Sequence, residues 1–221
     1  GVLKQIESES RAATPDEQQV LSEYVGWGGI PDAFEPDKAG WEKEYQELEA
    51  ALTPEEYASA RQSTLNAHYT SPAIIKAIYG AIGGIGFTSG NILEPACGIG
   101  NFFGLLPEEM SESKLYSVEL DSISGRIAKL LYPNAQINVT GYEKTGFQNN
   151  FFDLAIGNVP FGQYQVNDPE YNKLGYSIHN YFLAKSLDKV RPGGILAFVT
   201  TRYTMDSQNT DVREYLAERA D

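Results

Sequence analysis

The chain is poor in the residues that cross-link or metallate a small protein. A single cysteine, Cys97, among 221 residues excludes an internal disulfide, and two histidines, His68 and His179, with no acid spaced to join them, give no metal-site pattern. Bases are scarce: Lys and Arg number 17 against 30 acids, a formal net charge of −13, which is a poor match for a phosphate polymer. No apolar run reaches membrane length and no signal-peptide pattern is seen, so the expected location is cytoplasmic. The deficit of bases is uneven. Residues 1–65 hold 14 acids and 5 bases (−9), whereas residues 66–221 hold 16 and 12 (−4). A chain of this length can bury one core with an appendage.

Two short stretches carry most of the chemistry. Asn91-Ile92-Leu93 reads as a buried strand, and Gly98-Ile99-Gly100 lets the chain turn into a helix over Phe102–Leu106. Glycines at such a turn permit positive φ and close approach of a ligand to main-chain N–H groups. Glu94 precedes the loop, and a second apolar run, Leu115–Val118, ends in Glu119-Leu120-Asp121. A carboxylate at the tip of the second strand of a nucleotide-binding α/β fold accepts the ribose hydroxyls, and the 25-residue step from Glu94 to Glu119 fits one βαβ unit. Glu119 is the ribose candidate. The fuller Gly-x-Gly-x-x-Gly pattern of dinucleotide enzymes is missing, which weakens a pyrophosphate reading. Cys97, among small residues beside the turn, reads as a packed side chain rather than a nucleophile. His68 reads as a local hydrogen-bonding residue.

The second stretch is Gly157-Asn158-Val159-Pro160-Phe161-Gly162, after the apolar run Phe152–Ile156. Together, Glu94-Pro95-Ala96-Cys97-Gly98-Ile99-Gly100-Asn101-Phe102 and Asn158-Val159-Pro160-Phe161 resemble the S-adenosylmethionine-dependent amino-methyltransferases that modify adenine in DNA. The order of the motifs resembles the gamma class, in particular the methylase module of large phage and mobile-element methylase-helicase proteins. The family pattern has proline where this chain has Val159; either residue supplies a carbonyl, but valine leaves the backbone less fixed.

The resemblance implies a Rossmann-like class I methyltransferase fold over residues 66–221, with a mostly parallel, doubly wound α/β sheet that lacks the family's last two strands and its recognition domain. It implies S-adenosylmethionine as cofactor, held by Tyr69, Thr70, Glu94, Pro95, Ala96, Cys97, Gly98, Gly100, Asn101, Phe102, Glu119, Leu120, Asp121, Asn158 and Phe182. Tyr142 and Glu143 fall where relatives place an acid on the cofactor adenine, with the choice between them open. Asn158, Val159, Pro160 and Phe161 are the implied catalytic residues. The segment Ala67–Pro72 resembles the cap over the methionine end, with Thr70 or Ser71 capping the helix that follows. No metal is implied.

The residue types suit that chemistry. An exocyclic aromatic amine is a weak nucleophile because its lone pair is delocalised into the ring. The Asn158 amide oxygen and the Val159 carbonyl can accept its two N–H hydrogens and aim the lone pair, so that positioning and charge stabilisation do the catalytic work. Phe161 is expected to stack on the base, worth about 1–3 kcal/mol, after the base has left the duplex. A planar RNA base amine or a protein glutamine amide fits the same geometry. A third alternative is a non-catalytic cofactor-binding module of an antirestriction or transfer protein.

Residues 1–65 read as a helical extension, with helices over Thr14–Tyr24 and Trp41–Leu52, a helix start at Thr53-Pro54-Glu55-Glu56, and Trp27 and Trp41 packing against the catalytic domain. Further helices are expected over Ala73–Ile82, Ile178–Lys185 and Asp211–Arg219. Arg191–Gly194 is expected to turn into a fifth strand at Ile195–Val199. The long connection Gly162–Ser177 reads as a mobile lid. The expected partners are DNA, bound weakly by this chain alone, the remainder of a larger protein, and a second copy paired through the open edge of the fifth strand.

Overall fold

The computed structural model describes residues 1–64, 69–206, 208 and 210–220. His68 and Ala67 lie outside the described residues. Five strands form one parallel sheet: β1 (Asn91–Glu94), β2 (Lys114–Glu119), β3 (Gln136–Val139), β4 (Phe152–Asn158) and β5 (Val190–Val199), in the order β3-β2-β1-β4-β5. The central strands are near-continuous apolar runs because helices cover both faces of the sheet. The two-residue period divides them. Ile92, Leu154 and Ile156 meet Ile75, Tyr79 and Ile82 on one face, while Leu93 and Ala155 join Tyr181, Phe182 and Ala184 on the other. Each such aliphatic side chain, fully buried, contributes about 1.5–3 kcal/mol.

The strand order reverses between β1 and β4. In a parallel α/β sheet a crevice opens at such a switch point, beyond the carboxyl ends of the strands. Glu94 ends β1, Glu119 ends β2 and Asn158 ends β4, so the sheet topology alone brings these three residues to one edge.

In the first 64 residues lie α1 (Val2–Ser8), α2 (Pro15–Ser22), α3 (Glu42–Ala51) and α4 (Pro54–Ser63). Both α2 and α4 start with a capping box, Thr14 with Glu17 and Thr53 with Glu56, and a proline in the first turn. Trp41 stays within this region, packed with Phe34, Ala60 and Leu48, whereas Trp27 also reaches the cluster containing Ile123 and Ile127.

The remaining helices are α5 (Pro72–Gly84), α6 (Asn101–Gly104), α7 (Ser122–Leu131), α8 (Ile178–Lys189), α9 (Tyr203–Asp206) and α10 (Asp211–Ala217). Ser71 is the N-cap residue of α5, without a side-chain cap bond. The expected helix over Phe102–Leu106 is a single turn: helical geometry is lost at Leu105, just before Pro107. The expected fifth strand also differs. It begins at Val190, opposite Phe152, and Arg191–Gly194 bulge out before Ile195 pairs with Leu154; Gly193, at φ +75°, allows the excursion.

The connection between β4 and α8 is anchored at its middle. Asp168, 4% exposed, accepts from Lys185 Nζ at 2.8 Å and from the Tyr181 hydroxyl at 2.8 Å, and Lys185 also donates to the Tyr142 carbonyl at 2.9 Å. The Lys185 ammonium lies 4.8 Å from the centre of the Tyr142 ring. Burial works to raise the Asp168 carboxyl, and the hydrogen bonds from Lys185 and Tyr181 more than offset that, so it ends below its ordinary value. Among the described residues no helix is long and apolar enough to cross a membrane.

Candidate cofactor and substrate cleft

A cavity of about 650 Å³ opens at the carboxyl ends of β1, β2 and β4, within the range of small-molecule sites. Its floor is the glycine loop. Gly98 and Gly100 both adopt positive φ, +57° and +89°. The first faces the cavity, where an added Cβ would meet the Tyr69 ring at 3.9 Å, and the second faces the protein, where a Cβ would lie 2.5 Å from the Tyr132 ring. Gly98 therefore admits a ligand, and Gly100 admits Tyr132.

Glu119 is fixed by the main chain. Its two carboxylate oxygens accept the N–H groups of Gly98 and Asp121, each at 2.7 Å. Burial raises its carboxyl to about 7, with the two backbone bonds working the other way and the Asp121 charge adding to the rise. Asp121 caps α7, accepting from the Ser124 N–H at 2.9 Å and from the Ser124 hydroxyl at 2.5 Å. Glu94 is 2% exposed, its Oε2 has no hydrogen-bond partner among the described residues, and burial pushes its carboxyl well above the ordinary range. Burial likewise pushes the Cys97 thiol well up, which leaves it a poor nucleophile.

Glu143 and Tyr142 occupy a 3₁₀ turn after β3, the strand next to β2. Tyr142 is buried and its hydroxyl lies 3.1 Å from Ser186 Oγ; both Tyr142 and Glu143 are on the wall. Phe182 of α8 lies close by, its ring 5.1 Å from that of Tyr142.

Most of the residues singled out in the sequence come together here. Tyr69, Thr70, Glu94–Gly98, Asn101, Phe102, Glu119–Asp121, Tyr142, Glu143, Asn158, Pro160 and Phe182 all line the cavity. Gly100, Val159 and Phe161 do not. Val159 is 2% exposed and its N–H bonds to the Val199 carbonyl at 3.2 Å, which makes it a continuation of the β4–β5 ladder. Phe161 packs on the core cluster of Leu93 and Phe182. The aromatic side chain on the wall beyond Asn158 is instead Tyr164, 44% exposed.

Sequence reasoning missed several lining residues: Thr140 and Lys144 after β3, Tyr164–Asn167 and Pro169 in the long connection, and Gly26, Gln62 and Ser63 from the first 64 residues. The tyrosines of the connection were a usable signal for the second group. Nothing local in the sequence marks the third. Among the described residues no cluster of His, Cys, Asp and Glu could hold a metal ion.

The model of the Eco57I restriction-modification methylase family matches residues 108–221. Defense against restriction protein B of Escherichia phage P1 is 27% identical over 204 residues, 89% of this chain; the chain spans about 7% of that protein's length. Among solved structures, a protein of Listeria monocytogenes assigned to the class I S-adenosylmethionine-dependent methyltransferases superposes with a TM-score of 0.55 at 16% identity, covering 90% of this chain and 73% of its own. A protein of Vibrio vulnificus assigned as the modification subunit of a type I restriction enzyme gives 0.54 at 15% identity, covering 78% and 41%. At these identities the likeness shows the fold, which is that of the class I methyltransferases.

Proposed function

The chain belongs to the Eco57I restriction-modification methylase family, and from that membership we propose that it transfers the methyl group of S-adenosylmethionine to the exocyclic amine of an adenine turned out of DNA. The observation that carries the proposal is one continuous cavity whose wall includes both Glu119 and Asp121, at the carboxyl end of β2, and Asn158 and Pro160, at the carboxyl end of β4. Nucleoside-binding acids and an amine-orienting amide share a single space.

The residues present suit the cofactor. Glu119 and Asp121 stand where ribose hydroxyls would be bound, Glu143 and Phe182 suit an adenine edge and face, and Tyr69 and Thr70 suit the amino-acid end. The buried Glu94 Oε2, without a hydrogen-bond partner among the described residues, is a polar atom that a ligand hydrogen bond would satisfy. When bound, the cofactor supplies an electrophilic sulfonium methyl group. The chain does the rest by position: the Asn158 amide oxygen accepts a hydrogen of the target amine and aims its lone pair, and Tyr164 and Pro160 offer flat surfaces to its ring. Tyr164 replaces Phe161 in this reading because it is the aromatic residue on the wall that follows Asn158 and Pro160 most closely in the chain.

The net charge of −13 favours a second reading, in which the acceptor is a protein glutamine amide or the module binds cofactor without turnover; an RNA base amine fits the same geometry but meets the same charge repulsion as DNA. In the DNA reading the phosphate contacts come from other regions of a longer protein, consistent with the small fraction of the phage protein that the chain spans. Incorporation of labelled methyl groups into DNA, RNA and protein by the intact parent protein separates the readings. Label in DNA adenine, lost in Asn158→Ala, supports the proposal. Cofactor binding with no label in any acceptor overturns it.

A further inference from the structure

The helices of the first 64 residues do more than cover α7. Ile99, the middle residue of the glycine loop, is 2% exposed in a cluster with Ile6 of α1, Leu21 of α2 and Ile123 and Ile127 of α7. Its side chain is thus seated by residues from another part of the chain. The conformation of Gly98, whose N–H holds Glu119, depends on that seat.

A second contact lies on the other side of Glu119. Ser59 of α4 accepts the Ser122 N–H at 3.0 Å, and its own hydroxyl hydrogen is shared between the Leu120 carbonyl at 3.3 Å and Asp121 Oδ1 at 3.4 Å. One side chain therefore holds Leu120, Asp121 and Ser122, the segment whose Asp121 N–H fixes Glu119 and whose Asp121 carboxylate caps α7. An ion-pair clamp keeps these helices in register. Arg126 of α7 pairs with Glu7 of α1 and with Glu56 of α4, and Glu56 also takes Lys4 at 2.9 Å. Beyond Ser59, Gln62 and Ser63 lie on the cavity wall itself, as does Gly26.

We infer that α1, α2 and α4 are part of the cofactor site, with Ser59 as a positioning residue that holds Glu119 and Asp121 to the nucleoside end of the ligand and with Gln62 and Ser63 completing the wall. The inference rests on the methyl-donor reading above and extends it. The N-terminal helices then contribute to affinity at one end of the ligand and not at the other. Adenosine, which has the ribose and base but no methionine, should report the same loss as the whole cofactor.

Calorimetric titration of S-adenosylmethionine and of adenosine into the full chain tests this. Ser59→Ala removes a hydroxyl at a half-buried position and is expected to weaken both ligands by the same factor, about five- to tenfold for hydrogen bonds of this type, in a chain that stays folded at the titration temperature although the lost bonds lower its thermal midpoint. Ser59→Thr, which keeps the hydroxyl, is expected to restore both. Thr70→Ala, at a wall residue assigned to the amino-acid portion of the ligand, is expected to weaken S-adenosylmethionine alone. Unchanged binding of both ligands by Ser59→Ala, or a loss confined to S-adenosylmethionine, overturns the inference and leaves the methyl-donor reading standing. Failure of the unaltered chain to bind either ligand overturns that reading, and the inference falls with it.

Discussion

Glu119 makes the affinity for a nucleoside depend on pH, and the direction follows from its surroundings. Its carboxyl, lifted by burial to about 7, holds a proton in the empty chain over a range in which an ordinary glutamate is ionised. A carboxylate that accepts two ribose hydroxyls while keeping its two backbone bonds must first lose that proton, so binding tightens as pH rises through about 7 and levels off above it. With a pKa of about 7 the ionised fraction rises from roughly 10% at pH 6 to roughly 90% at pH 8, a gain of about tenfold in affinity, or about 1.4 kcal/mol. Glu94, also raised by burial, is separated by making the same comparison in a Glu94→Gln background. Tyr24 and Tyr69 are pushed upward, mainly by burial, and stay protonated across the window. Adenosine titrations at pH 6, 7 and 8, in two buffers of different protonation enthalpy, read both the affinity and the protons released, and adenosine avoids the cofactor's own amine. In Glu119→Gln the profile should be flat and the affinity lower. A flat profile in the unaltered chain, or a sloping one in Glu119→Gln, would refute the reasoning.

Asn158→Ala is expected to lower methyl transfer by at least about a hundredfold while changing cofactor affinity less than about threefold, measured as a single-turnover rate beside a binding titration. Lys185→Met leaves the buried Asp168 unpaired and is expected to cost about 3–5 kcal/mol in urea unfolding; pairing it with Asp168→Leu should recover most of that. Gly100→Ala combines a φ of +89° with a Cβ 2.5 Å from the Tyr132 ring, so it should cost more than about 1 kcal/mol and lower the thermal midpoint by several degrees. Acid should release the N-terminal helices. At Glu56 burial works upward, but hydrogen bonds from Arg126, the Thr53 N–H and Lys4 bring the carboxyl down to about 2, so the stability it confers is present above about pH 4.5 and is lost as pH falls toward 2. Fluorescence of Trp27 and Trp41 should shift over that range, and Arg126→Ala should reduce the dependence, leaving the part due to the Thr53 N–H and Lys4.

The central strands and the glycine loop were legible because their signals are local. An apolar run buried on both faces, followed at once by Gly98 and Gly100, has few other solutions. The carboxylates were legible for the same reason, since Glu94 and Glu119 each end a run. What escaped depended on distant contacts. Phe161 looks like the stacking residue from its place beside Pro160, yet its ring joins the core and Tyr164 reaches the wall, a choice made by how the connection packs against α8. Ile99 is an ordinary aliphatic residue in the sequence, and only the assembled helices show what seats it. The start of β5 was misjudged because Pro192 and two glycines suggest a turn, which the strand accommodates as a bulge.

The parallel order of the sheet also bears on how the protein reaches its structure. β1 and β4 are neighbours, yet Ile92 pairs with Leu154 and Leu93 with Ala155, each across 62 residues of chain. Such pairings form late, because the entropy of closing the loop is lost before any contact compensates it. Strands β1, β2 and β3 follow one another in sequence and can assemble first, which would place Glu94 and Glu119 together while one side of β1 still presents unpaired backbone groups. During that interval the nascent sheet is open to pairing with the wrong strand. A ligand able to grip the Glu119 half alone would then act as a folding aid, shortening the exposed interval before Asn158 arrives on β4.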